Sequence, residues 1–230
     1  MEIEKTKGYG IALSDLEGNW DKDFKKKLKK TAQDVIFDHL NFRQKLKLGY
    51  YYFRLIKRAQ KLDLSDIYSR GMTNDSFLHQ QLEYLVIYSA LTCVLDQEKA
   101  QQIMFKVMEE TAVEAFFKSS PEEDDIKSYG DSFEFFRKYT APLPVACCKA
   151  GCLDMELTVN EKNCFQYDIK WCVWLELANK MGVPEACIPN CYADDYAYPD
   201  YFKKYGIKYS RKGTLAKGAK SCDLRFERMV

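Results

Sequence analysis

Near residue 153 the apolar rhythm of this chain changes period, and that change limits what it can fold into. Upstream, apolar side chains recur every three to four residues. Phe24, Leu28, Ala32, Val35, Ile36 and Leu40 form one such set, and three- and four-residue spacing puts side chains on one helix face. The Lys25-Lys26-Lys27 and Lys29-Lys30 run is the solvated face of that helix. A second helix is expected over Leu46–Leu62, with its Tyr50-Tyr51-Tyr52-Phe53 cluster packed inside. Asp75-Ser76 reads as the N-cap of a third, running through Leu82, Leu85, Val86 and Cys93, and Asp96 caps a fourth that runs toward Phe117. The polar, proline-marked Ser119–Asp125 stretch opens an expected linker over 121–152.

From Leu153 the period is two. Leu153, Met155, Leu157 and Val159 alternate with polar residues, as do Phe165, Tyr167, Ile169 and Trp171, around a turn at Asn160–Asn163. That is a β-hairpin. Helical spacing returns at Trp174–Met181 and stops at Gly182, with Pro184 opening the next turn. Ile207–Leu215 and Cys222–Glu227 read as two more strands, with Gly218 in the turn between them. The order is helices, then β-β-α-α-β-β. The expected fold is a single α+β domain over 1–230. An N-terminal helical layer over 1–120 packs on a C-terminal antiparallel sheet of about four strands within 153–230.

The totals narrow the function classes. With 35 basic and 34 acidic residues the net charge is +1, which gives no ground for a nucleic-acid partner or an anionic membrane surface. No run approaches the length a spanning helix needs. Met1–Lys7 is charged and leads into no signal peptide. The nine cysteines are an odd number without the spacing of a disulfide framework, so a reduced, cytoplasmic protein with free thiols is expected.

The chemistry-bearing residues gather in the last third: Cys172, Cys191-x-x-Asp194-Asp195, and Thr214-Leu215-x-x-Gly218-x-x-x-Cys222-Asp223. Cys222 shares its strand face with Leu224 and Phe226, while Asp223 points the other way by parity. Cys187 and Cys191 would share a face on a continuous helix, but Pro189 argues against one. Cys187-x-x-x-Cys191 and Cys148-x-x-x-Cys152 are weak metal signals without a nearby His, so neither metal nor cofactor is expected. Cys147 and Cys148 read as incidental loop thiols. A carboxylate beside a thiol raises its pKa, so Cys191 needs a cation, a helix N-terminus or a substrate amine to become a thiolate. A Cys–His dyad would require His39 or His79 to reach back from the helical half. Nucleotide-loop, G-x-S-x-G and H-E-x-x-H signatures are absent.

Phe165–Phe226 resembles the L-2-amino-thiazoline-4-carboxylic acid hydrolase family. The resemblance is carried by Tyr167–Cys172, Cys191-Tyr192-Ala193-Asp194-Asp195, Thr214–Gly218 and Cys222–Phe226. It implies hydrolytic opening of a 2-aminothiazoline ring, a step toward cysteine in bacteria, and likeness to α+β ligand-binding domains. On that reading Cys191 or Cys222 is the nucleophile. Asp194 orients the amidine or a water, and Asp223 is the second carboxylate. Asp195, Cys172, Thr214 and Gly218 line the substrate, and Arg211 or Arg225 meets its carboxylate. Two other readings stand beside it. One is a small-molecule binding or sensory module without catalysis. The other is a partner-binding protein, dimeric through its aromatic-rich helices, with Tyr50–Phe53 as the seed if exposed.

Overall fold

The computed structural model describes residues 21–229; the Met1–Lys7 reading lies outside them. The helical half contains α1 (Lys22–Asp38), α2 (Phe42–Ala59), the short α3 (Ser65–Ser69), α4 (Asp75–Thr92) and α5 (Gln97–Ser119). Caps set their starts. Asp21 accepts from Phe24 N–H, and Asp96 from Lys99 N–H. Asn41 and Gln44 form a reciprocal capping box at α2. The α4 cap is Asn74 rather than Asp75, whose carboxylate instead lies in the first turn. Leu82, Leu85, Val86 and Tyr88 of α4 and Ala100, Ile103, Met104 and Val107 of α5 are buried in one apolar core.

The stretch expected as a linker carries three helices: α6 (Glu123–Tyr129), α7 (Ser132–Thr140) and α8 (Leu143–Lys149). Its aromatic residues explain the difference. Phe133, Phe135, Phe136 and Tyr139 all sit at 2% exposure or less, and burying side chains of that size outweighs the ordering cost of short helices. They form a second core against the inner face of the sheet.

The sheet is open, antiparallel and four-stranded, in the order β1-β2-β4-β3, so the fold is α+β. Strands β1 (Leu153–Glu161) and β2 (Cys164–Cys172) leave only two residues for the hairpin turn, fewer than the four expected. Strand β4 (Cys222–Arg228) pairs with β2 in the register Phe165↔Phe226, Tyr167↔Leu224, Ile169↔Cys222. All six of these side chains belong to the second core, and the Phe165 and Phe226 rings stack at 4.7 Å. Between β2 and β3 lie α9 (Val173–Met181), a 3₁₀ turn at Pro184–Ala186, α10 (Cys187–Cys191) and α11 (Ala193–Lys203). Gly182 ends α9 in the left-handed conformation.

Two local expectations change here. Strand β3 is Ile207–Ser210 and does not reach Leu215, because the Asp223 carboxylate takes the Lys212 and Gly213 N–H groups that a ladder would have used. Pro189 does not break α10. It sits in the helix's first turn, where its missing N–H has no intrahelical acceptor to lose.

Tyr50–Phe53 is split by the helix period. Tyr51 and Tyr52 pack against the core, while Tyr50 and Phe53 are exposed. Among the described residues no helix is long and apolar enough to cross a membrane.

Candidate functional site

Strand ends and helix starts meet at a line of thiols. Cys172 closes β2, Cys187 and Cys191 open and close α10, and Cys222 opens β4. The Cys187 and Cys191 sulfurs are 3.7 Å apart. Cys187 also reaches Cys172, and Cys191 reaches Cys222, so the order of contact is Cys172, Cys187, Cys191, Cys222. Leu215 N–H, from the 3₁₀ turn Leu215–Lys217, donates to Cys222 Sγ at 3.2 Å. Cys187 and Cys222 are buried and Cys191 is half-buried.

Cys191 is the thiol this arrangement favours as a thiolate. Donation from the Cys187 and Cys222 thiols lowers its pKa, the Arg211 charge and the Ala216 N–H lower it further, and burial opposes them. Hydrogen bonding to their thiol neighbours, added to burial, pushes Cys187 and Cys222 upward and keeps them protonated. Of the cation, helix N-terminus or substrate amine that could favour the thiolate, the structure supplies a cation, Arg211, the first residue past β3.

The Arg211 side chain is only 4% exposed. It donates to the Cys191 carbonyl at 2.5 Å, to Asp195 at 2.5 Å and to Asp194 at 3.3 Å. Tyr209 donates to the other Asp195 oxygen at 3.3 Å. Both aspartates occupy the first turn of α11, where a negative charge complements the helix dipole. Asp194 is nonetheless pushed up to about 6. Desolvation is the largest cause and the Cys191 charge adds to it, against lowering by Arg211 and by a hydrogen bond from Tyr198. A thiol held low therefore lies beside a carboxyl held high. Such a pair can present a nucleophile and a proton donor together.

The structure brings Cys172, Cys191, Cys222, Asp194, Asp195 and Arg211 together, and leaves others elsewhere. Arg211 is 4% exposed and three of its five N–H groups bind Asp194, Asp195 and the Cys191 carbonyl, so its charge is spent mainly on this cluster rather than presented at the surface. Asp223 lies on the opposite sheet face from Cys222 and anchors the loop after β3. Arg225 shares that outer face and binds Gln166 and Glu227. Gly218, at φ +81°, closes the 3₁₀ turn in the left-handed conformation and is a turn former. Thr214 is 2% exposed and its Oγ1 has no hydrogen-bond partner among the described residues.

Neither histidine reaches the thiols. His39 bonds the Val35 carbonyl and His79 faces Glu83. Cys147 and Cys148 lie on α8 rather than on a loop, and Cys147 pairs with Cys152, whose thiol donates to the Cys147 carbonyl at 3.2 Å. Among the described residues no group of three or more His, Cys, Asp or Glu side chains is arranged to hold a metal ion.

Sequence reasoning missed four participants. Cys187 was weighed only as a metal ligand. The Ala216 and Leu215 N–H groups carry no side-chain signal at all. Tyr198 joins Asp194 to a hollow of about 60 Å³ over the inner sheet face, lined by Phe116, Phe136, Tyr201, Leu224 and Phe226 among others. The alternation at Cys222, Leu224 and Phe226 was the one clue to that hollow.

No curated protein and no solved structure matches the chain. A sequence model of the L-2-amino-thiazoline-4-carboxylic acid hydrolases matches residues 77–226. That span covers most of α4, all of α5, the whole thiol line and the Arg211–aspartate cluster, and well over half of the sequence. The chain belongs to the L-2-amino-thiazoline-4-carboxylic acid hydrolase family.

Proposed function

We propose that this protein opens a small cyclic amidine of the 2-aminothiazoline-4-carboxylate kind, with Cys191 as nucleophile and Asp194 as proton donor. The Cys191 thiolate adds to the ring carbon flanked by sulfur and two nitrogens. The C=N pair moves onto the ring nitrogen, which takes the Asp194 proton. Collapse of the tetrahedral centre breaks the ring C–S bond, and the ring sulfur leaves as a thiolate. Water then adds to the amidine carbon held on Cys191 and returns one proton to Asp194. Expulsion of the Cys191 thiolate gives carbamoyl-cysteine, whose thiol takes the second water proton. Arg211 acts on both partners. Its charge favours the Cys191 thiolate and its hydrogen bonds fix the Asp194–Asp195 pair.

The observation that carries this reading is Cys191, Arg211 and Asp194 in one cluster, with the thiol held low and the carboxyl held high, which is the protonation state the first step needs at mildly acidic pH. With Arg211 buried against the aspartates, Lys217 is the cation best placed for the substrate carboxylate. It is exposed, adjoins the Ala216 N–H that serves Cys191, and lies 4.4 Å over the Tyr192 ring.

The test is incubation of the purified protein with 2-aminothiazoline-4-carboxylate and mass detection of the ring-opened product. Cys191→Ser should fold and lose turnover; retention of full turnover refutes thiol attack. A second reading, a binding module without catalysis, is favoured by the aromatic hollow beside Tyr198. It predicts that the compound raises the melting temperature while no product forms.

A further inference from the structure

The balanced total charge conceals a local excess. Helices α1 and α2 together carry twelve Lys and Arg against three Asp, and α2 alone carries six against no acidic residue, in a chain whose net charge is +1. On α2, Arg43, Lys47, Arg54, Lys57 and Arg58 are all exposed. None of the five forms an ion pair with a carboxylate among the described residues.

Beside these cations runs an apolar stripe. Phe42, Leu46, Tyr50 and Phe53 are spaced 4, 4 and 3 apart, so they share one helix face. They are 75%, 61%, 61% and 68% exposed. Elsewhere in the described residues the large exposed apolar side chains are scattered, whereas these four form a continuous ridge about 16 Å long. The buried side of the same helix, with Leu48, Leu55, Ile56 and Ala59, already holds it on the core. The ridge is therefore not needed to fold the helix.

We propose that the outer face of α2 is a peripheral docking surface for an anionic lipid bilayer. Two features select that occupant. A second copy would bring cation rows together, since α2 has no acidic residue to pair across a symmetric contact. The ridge is also convex, so a rigid partner would need a matching groove. A bilayer interface accepts aromatic and leucine side chains at headgroup depth while flanking Lys and Arg meet the lipid phosphates. Docking would be on the surface only, as no described helix is long and apolar enough to span. The site lies on an element outside the thiol line, so this inference is independent of the hydrolase reading.

The test is co-sedimentation of the full chain with extruded vesicles. One set is pure phosphatidylcholine; the other is about three parts phosphatidylcholine to one part phosphatidylserine. The protein should pellet with the mixed vesicles, stay in solution with the neutral ones, and detach as salt is raised. Phe42→Ser/Phe53→Ser and Arg54→Gln/Lys57→Gln should each lower partitioning about tenfold or more with an unchanged melting curve. Failure to pellet with the mixed vesicles overturns the proposal. So does binding that survives the Phe42→Ser/Phe53→Ser change, since that is charge attraction alone. A solution dimer that dissociates in the same variant would make a second copy the occupant and overturn it as well.

Discussion

Replacing Asp194 by Asn should stabilise the protein, and only above mildly acidic pH. Asp194 is raised from 3.8 to about 6, mainly by desolvation. The sign follows from linkage. A carboxyl whose folded pKa lies above its unfolded value binds its proton more tightly when folded. Its stabilising contribution is complete below about pH 4 and is lost as pH rises through about 6. At pH 8 the ionised group therefore costs free energy. The full shift corresponds to about 3 kcal/mol at 1.36 kcal/mol per unit. A third of the side chain still reaches solvent, and water screening reduces this to roughly 1–2 kcal/mol.

Asn keeps the oxygen that accepts from Arg211 and removes the charge. In a chain of this size the gain is about 2–8 °C in melting temperature at pH 8, shrinking toward zero at pH 4.5. Thermal melts of both proteins across that range, with urea titrations at the two ends, give the comparison. A constant loss of stability at all pH values above 4 would mean that Arg211 holds Asp194 ionised in the folded state. The proton-donor assignment would fall with it.

Three further outcomes follow from the same geometry. The thiolate absorbance of the folded protein in the near ultraviolet should persist below the pH at which ordinary thiols protonate, and Cys191→Ser should abolish that component while Cys187→Ser only weakens it; identical titrations of wild type and Cys191→Ser would refute the low thiol. Thr214→Val removes a buried hydroxyl that has no partner among the described residues, so it should raise stability by about 1 kcal/mol in urea unfolding; if Thr214 also serves the substrate, KM rises in the same variant with kcat little changed. Gly151→Ala should cost about 3 kcal/mol or more in the same assay, because Gly151 has φ +66° and an added Cβ would lie 2.3 Å from Met72 N, backbone that cannot yield cheaply.

The sheet was legible because its signal is local. Alternation at 153–171 and 222–227 gives strand, face and parity at once, and parity correctly put Cys222 inside and Asp223 outside. The Asn74 cap and the end of β3 at Ser210 were not legible, as each depends on which of several polar groups takes a backbone N–H. Residues 121–152 misled for a related reason. The polar start of the segment dominates a local reading, and the burial of Phe133, Phe135 and Phe136 depends on strands that come later in the chain. Tyr50–Phe53 shows the opposite failure. Four aromatic residues in a row look like core, yet consecutive positions on a helix diverge by about 100°, so a run of four must place some of them outward.

The thiol site mixes both kinds of information. Its residue types could be read in order along the chain, whereas their protonation states could not, because those depend on contacts between segments. Arg211 is the clearest instance. Read within an expected strand at Ile207–Leu215, it was assigned to a substrate carboxylate by its charge and position. Folded, it is held at 4% exposure between Asp194, Asp195 and the Cys191 carbonyl. The same burial changes its chemistry. In solvent its charge would be screened, whereas at 4% exposure it favours a thiolate on Cys191 and still does not fully offset the desolvation of Asp194. One buried cation thus leaves a thiol low and a carboxyl high, and that imbalance, rather than any single residue type, separates this cluster from the chain's other cysteines.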